Sequence, residues 1–411
     1  MRLSLIALLV ILVALLAAIV VFVGNMIAPN APDSEATGRA GGLTWVRSIY
    51  GISARAEDQL RSPGHVAIGP DGTIWVTDSV MNRVLGFNPD GSFKRELVAG
   101  SADEGGISML QGPAGVAVSE DGEVYVAANS TGVIIVFDRN GDVDRVFEVP
   151  APVQVAVRED RLFVTSAEGL FLFTLEGEEV ARWSSRGTGS NQVDMPNGAV
   201  IGEDGTLFIA DTHNVQIKAF SRDGKFEWAV PAASARAATL ESTAAPSAST
   251  DAELLHPDTS TGEEGEAPSS DLATTLQLPT GMTVDGAGRL VFADAFAFGL
   301  YVMDPAKQEL LARFGEQGEA DGFFNYPTGI AYDSDRDWFA VADTANARVQ
   351  IVRIPGSGGS PLAAVRRVNL PWMACAVPLI LLLVALMVAT ARSHRTIHET
   401  QDKIGSLGQQ G

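Results

Sequence analysis

The sequence predicts an all-β protein, a six-bladed β-propeller flanked by N- and C-terminal transmembrane helices. Two observations carry this prediction. A motif of about 45 residues, the usual length of a propeller blade, recurs six times in the middle of the chain. An uncharged apolar run of about 20 residues, long enough to cross a bilayer, lies near each end. The 42 glycines among 411 residues also suit a protein rich in tight turns.

Each copy of the motif has the sequence pattern of four short strands. It opens with Pro, continues with an apolar–Ala–apolar segment and a turn, and then has an apolar strand that often ends at Asp. The turn is often Asp-Gly, as at Asp71-Gly72, where Gly allows the positive φ that a tight hairpin requires. A third strand, a second turn and a fourth strand follow. The opening residues are Pro63, Pro113, Pro152, Pro196, Pro279 and Pro327.

The last blade lacks a fourth strand of its own. Its third strand ends at Ile354, whereas Trp45–Tyr50, before blade one, has the pattern of an outermost strand with no blade preceding it. We therefore expect Trp45–Tyr50 to complete blade six and close the ring.

The repeat resembles the NHL repeat, in which Pro-x-Gly-apolar-Ala is followed by Asp-Thr-x-Asn-x-Arg. The clearest copy begins at Pro327 and carries Asp343, Asn346 and Arg348 in register. Other copies depart from this pattern, with Gln216 in place of Arg and with Ala128 and Ser166 in place of Asp. The resemblance implies a propeller fold and no particular function, because propellers host many unrelated activities.

The recurring acidic residues are expected to be structural, because a functional site is built once and a structural device is copied. Asp78, Asp211, Asp294 and Asp343 should accept hydrogen bonds from loop amides and from Arg side chains. The cluster Asp333, Asp335 and Asp337 lacks the ligand spacing of a calcium loop and is interpreted as a solvated turn.

Two runs, residues 3–23 and residues 372–391, are predicted to span a membrane. The first is long for a secretory signal peptide, which is the alternative, and only weak cleavage sites follow it. The second has no polar face, and its Pro378 is tolerable in a membrane helix. Basic residues at the two chain ends favour cytoplasmic termini, although Arg366 and Arg367 oppose this. We therefore predict a two-span cell-membrane protein whose propeller is extracytoplasmic.

The remaining ranges follow from these elements. The propeller spans residues 43–354, linkers span 24–42 and 355–371, and a short cytoplasmic tail spans 392–411. Residues 232–277 are an acidic insert without aromatic residues, which predicts disorder. It serves either as a spacer or as a partner-binding strap. A net charge of −21 argues against nucleic acid as a partner, and one cysteine, Cys375, cannot form an intramolecular disulfide.

No catalytic residue, metal site or cofactor is assigned from the sequence. In the NHL-type lyase that these repeats resemble, histidines of separate blades hold zinc, but only His65 among the equivalent inner-strand positions is a histidine. Gluconolactonase-like propellers use Glu, Asn and Asp around a divalent ion. Asn129, Asn197 and Asp294 would fit that set, but a matching Glu is missing.

Departures from the repeat are the better candidates for binding. Six residues are predicted to form an amphipathic rim at one mouth of the propeller: His65, Gln154, Met81, His213, Phe296 and Phe298. Burial of Phe296 and Phe298 against the next blade or the insert is the alternative.

The sequence thus favours a membrane-tethered binding or scaffolding module with a protein or small-ligand partner on a propeller face. A metal-dependent lyase or lactonase with its site at the central mouth is the alternative. The ligand, the oligomeric state and the role of the insert are not specified by these patterns.

Overall fold

The computed structural model describes residues 42–100, 108–231 and 276–358. Within these ranges twenty-five strands form six sheets, which confirms the predicted all-β, six-bladed propeller. No helix in the described part of the chain is long and apolar enough to span a bilayer. The predicted spans 3–23 and 372–391, the tail 392–411 and most of the insert lie outside the described residues.

Blades one and two are four-stranded antiparallel sheets with strands in chain order from the axis outwards. Blade one contains β2 (Pro63–Ile68), β3 (Ile74–Asp78), β4 (Arg83–Phe87) and β5 (Phe93–Leu97). Blade two contains β6 (Pro113–Val118), β7 (Val124–Ala128), β8 (Val133–Phe137) and β9 (Val143–Glu148).

Blade three has a fifth, two-residue strand that pairs in parallel with its outer strand. Its strands are β10 (Pro152–Arg158), β11 (Arg161–Ser166), β12 (Gly169–Phe173), β13 (Glu179–Arg186) and β14 (Gln192–Val193). Blade four contains β15 (Pro196–Ile201), β16 (Leu207–Asp211), β17 (Gln216–Phe220) and β18 (Phe226–Val230). Blade five contains β19 (Pro279–Val284), β20 (Leu290–Asp294), β21 (Gly299–Asp304) and β22 (Glu309–Phe314).

Blade six is completed by the first strand of the chain, which confirms the predicted closure. It contains β23 (Pro327–Asp333), β24 (Trp338–Asp343), β25 (Arg348–Arg353) and β1 (Thr44–Ile49). β1 pairs antiparallel with β25, with Thr44 opposite Arg353 and Ile49 opposite Val349.

The strand directions define two faces of the ring. Each inner strand begins at one face, here called the top face, and ends at the bottom face in a tight turn. The loops between second and third strands and the connections between blades therefore lie at the top. β1 begins and β25 ends at the bottom face, so both ends of the described propeller lie there, on blade six.

The core lies between blades rather than within one layer. Six apolar clusters occupy the six interfaces between neighbouring blades. The second strands alternate their side chains between the two flanking interfaces, and all residues of β3, β7, β16, β20 and β24 are buried. Burial on both faces explains why these strands are continuously apolar in sequence.

A belt of side-chain hydrogen bonds joins every blade to the next near the top face. In each case a Thr hydroxyl or an Asn amide donates to an inner-strand carbonyl of the following blade. The pairs are Thr77 to Ala114 (3.1 Å), Asn129 to Pro152 (2.9 Å), Thr165 to Pro196 (2.7 Å), Thr212 to Pro279 (2.7 Å), Thr280 to Pro327 (3.2 Å) and Thr328 to Gly64 (2.6 Å). The last pair closes the belt between blades six and one.

Two predicted boundaries need correction. The end of the predicted disordered insert belongs to blade five, because Leu276 is buried and the Gln277 N–H donates to Asp294 at 2.7 Å. The start of the predicted linker 355–371 packs on blade six, where the buried Ser357 hydroxyl donates to Asp337 at 2.8 Å. Hydrogen bonds to the neighbouring blade order the last residues of the insert and the first residues of the linker. Composition alone does not predict such bonds.

Candidate functional site

Buried aspartates at the ends of second strands hold the top-face loops, as predicted. Asp78 accepts hydrogen bonds from the Ser62 N–H at 3.0 Å and from Arg83 Nε at 3.2 Å. Asp343 accepts from Arg348 Nε at 2.8 Å, and burial raises the pKa of Asp343 against the opposing effect of its hydrogen bonds. Asp294 accepts from three backbone amides, two before β19 and one after β20. These carboxylates are therefore structural groups.

The third position of each inner strand is where the blades approach most closely. Four blades have glycine there, and a Cβ on Gly198 would lie 2.1 Å from the Thr280 carbonyl oxygen. A Cβ on Gly329 would lie 2.6 Å from the Cα of His65. His65 in blade one and Gln154 in blade three are thus the two side chains that this ring of close contacts admits.

His65 is buried, and this burial sets its charge. Its backbone N–H donates to Thr77 Oγ1 at 2.8 Å, which fixes the strand, and its side chain is only 8% exposed. Desolvation lowers the pKa of His65 to about 4. The imidazole is neutral at pH 7, so it offers hydrogen bonding rather than a positive charge.

Gln154 has a buried amide whose Oε1 has no hydrogen-bond partner among the described residues. The residue is 7% exposed, and its backbone N–H donates to Thr165 Oγ1 at 3.0 Å. Oε1 lies 2.1 Å from where a Cβ on Gly115 would be, so the side chain occupies space that only glycine leaves open. Buried amide oxygens are normally paired, so this oxygen departs from the usual pattern, and a binding role for Gln154 stays a prediction.

The other predicted rim residues lie in top-face loops of three blades. Met81 in blade one is 41% exposed, and Phe296 in blade five is 51% exposed, with its ring against Tyr326 at a centroid distance of 5.7 Å. Phe298 is half-buried and has a left-handed φ of 53°. His213 in blade four lies 3.7 Å from Asp194. Phe296 is thus partly covered by Tyr326, and most of the insert, the other surface considered for its burial, lies outside the described residues.

The structure places the six predicted residues at the top-face end of the ring, on four different blades. His65 and Gln154 lie at the inner ring of blades one and three, whereas Met81, His213 and Phe296 lie in outer loops of blades one, four and five. Both the rim and the binding role of these residues stay predictions.

Sequence reasoning found only two members, Met81 and Phe296, of a larger exposed apolar set. Eight large apolar side chains of the described residues are exposed, and six of them lie on the top face: Tyr50, Val80, Met81, Val98, Met109 and Phe296. All but Phe296 belong to blade one or to the connections on either side of it. The loop patterns gave no signal, because the same residue types are buried elsewhere in the repeat. We call Tyr50, Val80, Met81, Val98 and Met109 the blade-one patch.

Carboxylates in the described residues do not form a metal centre. No group of three His, Cys, Asp or Glu side chains in this part of the chain is placed to hold an ion. Asn129 and Asp294, which would match a gluconolactonase-like set, are committed to the inter-blade belt and to loop amides. In the cluster predicted to be a solvated turn, Asp333 is instead buried and paired with Arg336 at 2.9 Å. Asn129, Asp294 and Asp333 therefore each have a structural partner within the described residues.

Comparison with known proteins agrees with this fold. The family model described as SMP-30/Gluconolactonase/LRE-like region matches residues 20–168, and the NHL repeat model matches residues 324–352. The second match confirms the copy that the sequence marks as clearest. No curated protein matches the chain.

Several solved structures resemble the chain at low identity. A gluconolactonase from Xanthomonas campestris is 16% identical, with 77% of this chain and 99% of that chain covered and a TM-score of 0.49. A virginiamycin B lyase from Staphylococcus aureus is 14% identical, with 70% and 79% covered and a TM-score of 0.43. A hydrazine synthase from Kuenenia stuttgartiensis is 13% identical, with 76% and 99% covered and a TM-score of 0.47. At these values the likenesses identify neither a substrate nor a site.

Proposed function

Because the chain is a six-bladed β-propeller with an NHL repeat in its last blade, we propose that it is a membrane-tethered binding module whose top face captures a protein partner. The blade-one patch carries this proposal. Its five side chains are 38% to 67% exposed and lie on one sector of one face. Grouped exposed apolar side chains are typical of interaction surfaces, whereas isolated ones are ordinary.

The position of the chain ends supports a tether at the opposite face. The described propeller begins at Gly42 and ends at Gly358, and β1 and β25 place both ends at the bottom of blade six. Apolar runs 3–23 and 372–391 follow after short linkers in each direction. Two tethers at the bottom face would direct the blade-one patch away from the bilayer, towards a partner outside the cytoplasm.

Crosslinking in intact membranes tests the binding role. We expect Val80→Asp to abolish a crosslinked adduct that the unmodified chain forms, because a charge in an apolar contact is costly to desolvate. Val180→Asp is the matched control, because Val180 is also exposed but lies on the outer strand of blade three. Equal adduct yields from both variants, at equal folded levels, would exclude the patch as the contact surface.

Protease added to intact cells tests the orientation. An extracytoplasmic propeller should be cut in the insert, for example near Arg236, and protection of the whole chain would reverse the topology.

A metal-dependent enzyme of the lyase or lactonase type is the second candidate, favoured by the family model that matches residues 20–168. Metal analysis of the full chain, purified without chelators, separates the two. One tightly held divalent ion per chain would favour the enzyme and make the central mouth the place to mutate. A metal-free chain that retains its crosslinked partner would favour the binding module.

A further inference from the structure

Blades one and two carry an arginine at the same position of their outer strands. Arg95 is the third residue of β5, and Arg145 is the third residue of β9. Each guanidinium donates to the second residue of a turn in the following blade. Arg95 Nη1 donates to the Arg139 carbonyl at 3.4 Å, and Arg145 Nε donates to the Leu175 carbonyl at 2.9 Å. The two side chains therefore extend to equivalent points of the next blade.

Blade two supplies its arginine with a carboxylate that blade one lacks. Arg145 Nη1 and Nη2 donate to the two oxygens of Glu123, both at 3.0 Å, which is the usual two-point contact between arginine and a carboxylate. Glu123 directly precedes β7, and the residue that directly precedes β3 in blade one is Thr73. Arg95 therefore has no ion pair, and all its side-chain hydrogen bonds to described residues go to backbone carbonyls.

Arg95 lines a groove between blades one and two at the bottom face. The groove has a volume of about 390 Å³, within the range of small-molecule sites. Trp75 contributes to its lining, and a Cβ on Gly86 would lie only 2.9 Å from Cζ3 of that ring, so the indole lies flat on the sheet of blade one. The turn of residues 119–123 contributes to the wall from blade two.

The charged side chains of this groove are engaged within the protein, with two exceptions. Arg95 is one, and Glu120 is the other, because it is exposed and forms no hydrogen bond or ion pair with a described residue. The engaged groups are Lys94 with Asp71 (2.7 Å), Arg139 with Asp121 (3.3 Å), and Asp138 with the backbone amides of Asn140 (2.8 Å) and Asp142 (2.9 Å). The groove thus presents one unpaired cation from blade one and one unpaired carboxylate from blade two.

We propose that this groove binds a small zwitterion, with the ligand carboxylate on Arg95 and the ligand ammonium on Glu120. The carboxylate takes the place that Glu123 has in blade two. A simple anion fits less well, because Glu120 repels it. Arg95 and Glu120 come from different blades, so the two ligand charges are separated, as they are in an ω-amino acid. The groove is separate from the blade-one patch, because the two lie on opposite faces of the ring.

Ligand-observed NMR on the full chain in lipid nanodiscs tests the proposal, with empty nanodiscs as the blank. Low ionic strength is needed, because salt screens exposed charges. The probes are 4-aminobutyrate and 6-aminohexanoate, and the matched acids butyrate and hexanoate lack the ammonium group. We expect at least one amino acid to bind about fivefold more tightly than its matched acid, the gain of one exposed ion pair. Equal affinities within both pairs, or no binding of either amino acid, would overturn the proposal.

Three variants assign the two ends of the ligand. Thr73→Glu places a carboxylate beside Arg95, as in blade two, and should abolish binding of the amino acid. Arg95→Gln should weaken the amino acid and its matched acid about fivefold. Glu120→Gln should reduce the affinity for the amino acid to that for the matched acid.

Arg182→Gln is the matched control and should leave binding unchanged, because Arg182 lies on the outer strand of blade three and pairs there with Glu179 at 2.9 Å. Thermal unfolding verifies that each variant is folded. Full binding by folded Thr73→Glu or Arg95→Gln variants would show that the ligand carboxylate is not on Arg95 and would overturn the proposal.

Discussion

Lys218 and Asp211 form an ion pair inside blade four, with 2.9 Å between Nζ and Oδ2 and both side chains fully buried. Lys218 also donates to the Gly189 carbonyl at 3.1 Å and to the Gln192 carbonyl. In blade six the corresponding cation is Arg348, which stands two positions earlier in the third strand. Blade four therefore keeps the buried cation of the repeat but supplies it from a different position.

This ion pair should be necessary for blade four to fold. Lys218→Met leaves a buried carboxylate without its cation, so we expect the free energy of unfolding to fall by about 3–5 kcal/mol. Urea unfolding followed by tryptophan fluorescence measures the change. Lys94→Met is the control, because its pair with Asp71 is partly exposed and should contribute about 1 kcal/mol or less. Similar losses in both variants would contradict the assignment.

The inter-blade belt should contribute to stability through each of its members. Thr165→Val removes a donor to the Pro196 carbonyl and an acceptor of the Gln154 N–H, so we expect a loss of about 1–3 kcal/mol. Thr174→Val, at an exposed turn, should change stability by about 0.5 kcal/mol or less. Thermal unfolding compares the two variants. Equal unfolding midpoints would show that the hydrogen bonds of the inter-blade belt do not contribute to stability.

His65 should make stability depend on pH. Its pKa is about 4 in the folded chain against an ordinary value of 6.5, so the unfolded chain binds more protons between these values. Its contribution is fully present above pH 6.5 and is lost as pH falls towards 4, with a loss of about 2 kcal/mol between pH 7 and pH 5.

His65→Gln isolates this effect, because Gln154 fills the equivalent position in blade three. The stability difference between the unmodified chain and the variant should shrink or reverse on acidification, as measured by urea unfolding at pH 7 and pH 5. A difference that is independent of pH would show that His65 is not held neutral.

A methyl group added at the second position of an inner strand should be tolerated, whereas one added at the third position should destabilise the ring. Gly198→Ala places a Cβ 2.1 Å from a backbone oxygen, so we expect a loss of more than about 3 kcal/mol. Gly64→Ala meets nothing closer than 3.2 Å, and Ala114 already occupies that position in blade two. Chemical unfolding of the two variants should therefore separate them clearly, and equal stabilities would mean that the strands can move apart.

The six blades and the closing strand could be predicted from the sequence. Each blade repeats the same strand pattern, and Trp45–Tyr50 had the pattern of an outermost strand with no blade before it. It was misleading for blade four, where Gln216 occupies the expected position of the arginine and the cation comes from Lys218. The motif specifies one sequence position for the cation. The long, flexible Lys218 side chain reaches the Asp211 carboxylate from another position on the same strand.

The candidate sites were only partly accessible to sequence analysis. His65 and Gln154 were found because they replace glycine at a repeated position. Of the blade-one patch only Met81 was found, because exposure depends on loop packing, and Val80 resembles the buried valines of the strands.

Closure of blade six by β1 determines how the ring responds to force. Since Thr44 lies opposite Arg353 at the bottom face, tension applied through the two ends of the propeller would open the β1–β25 pairing one hydrogen bond at a time, like a zipper, rather than shear all of them together. During synthesis β1 stays unpaired until β25, about 300 residues later in the chain, has been made. Pairing these two strands therefore carries the largest entropic cost of loop closure in the ring. The seam between the first and last strands is thus where this ring would both finish folding and begin to open.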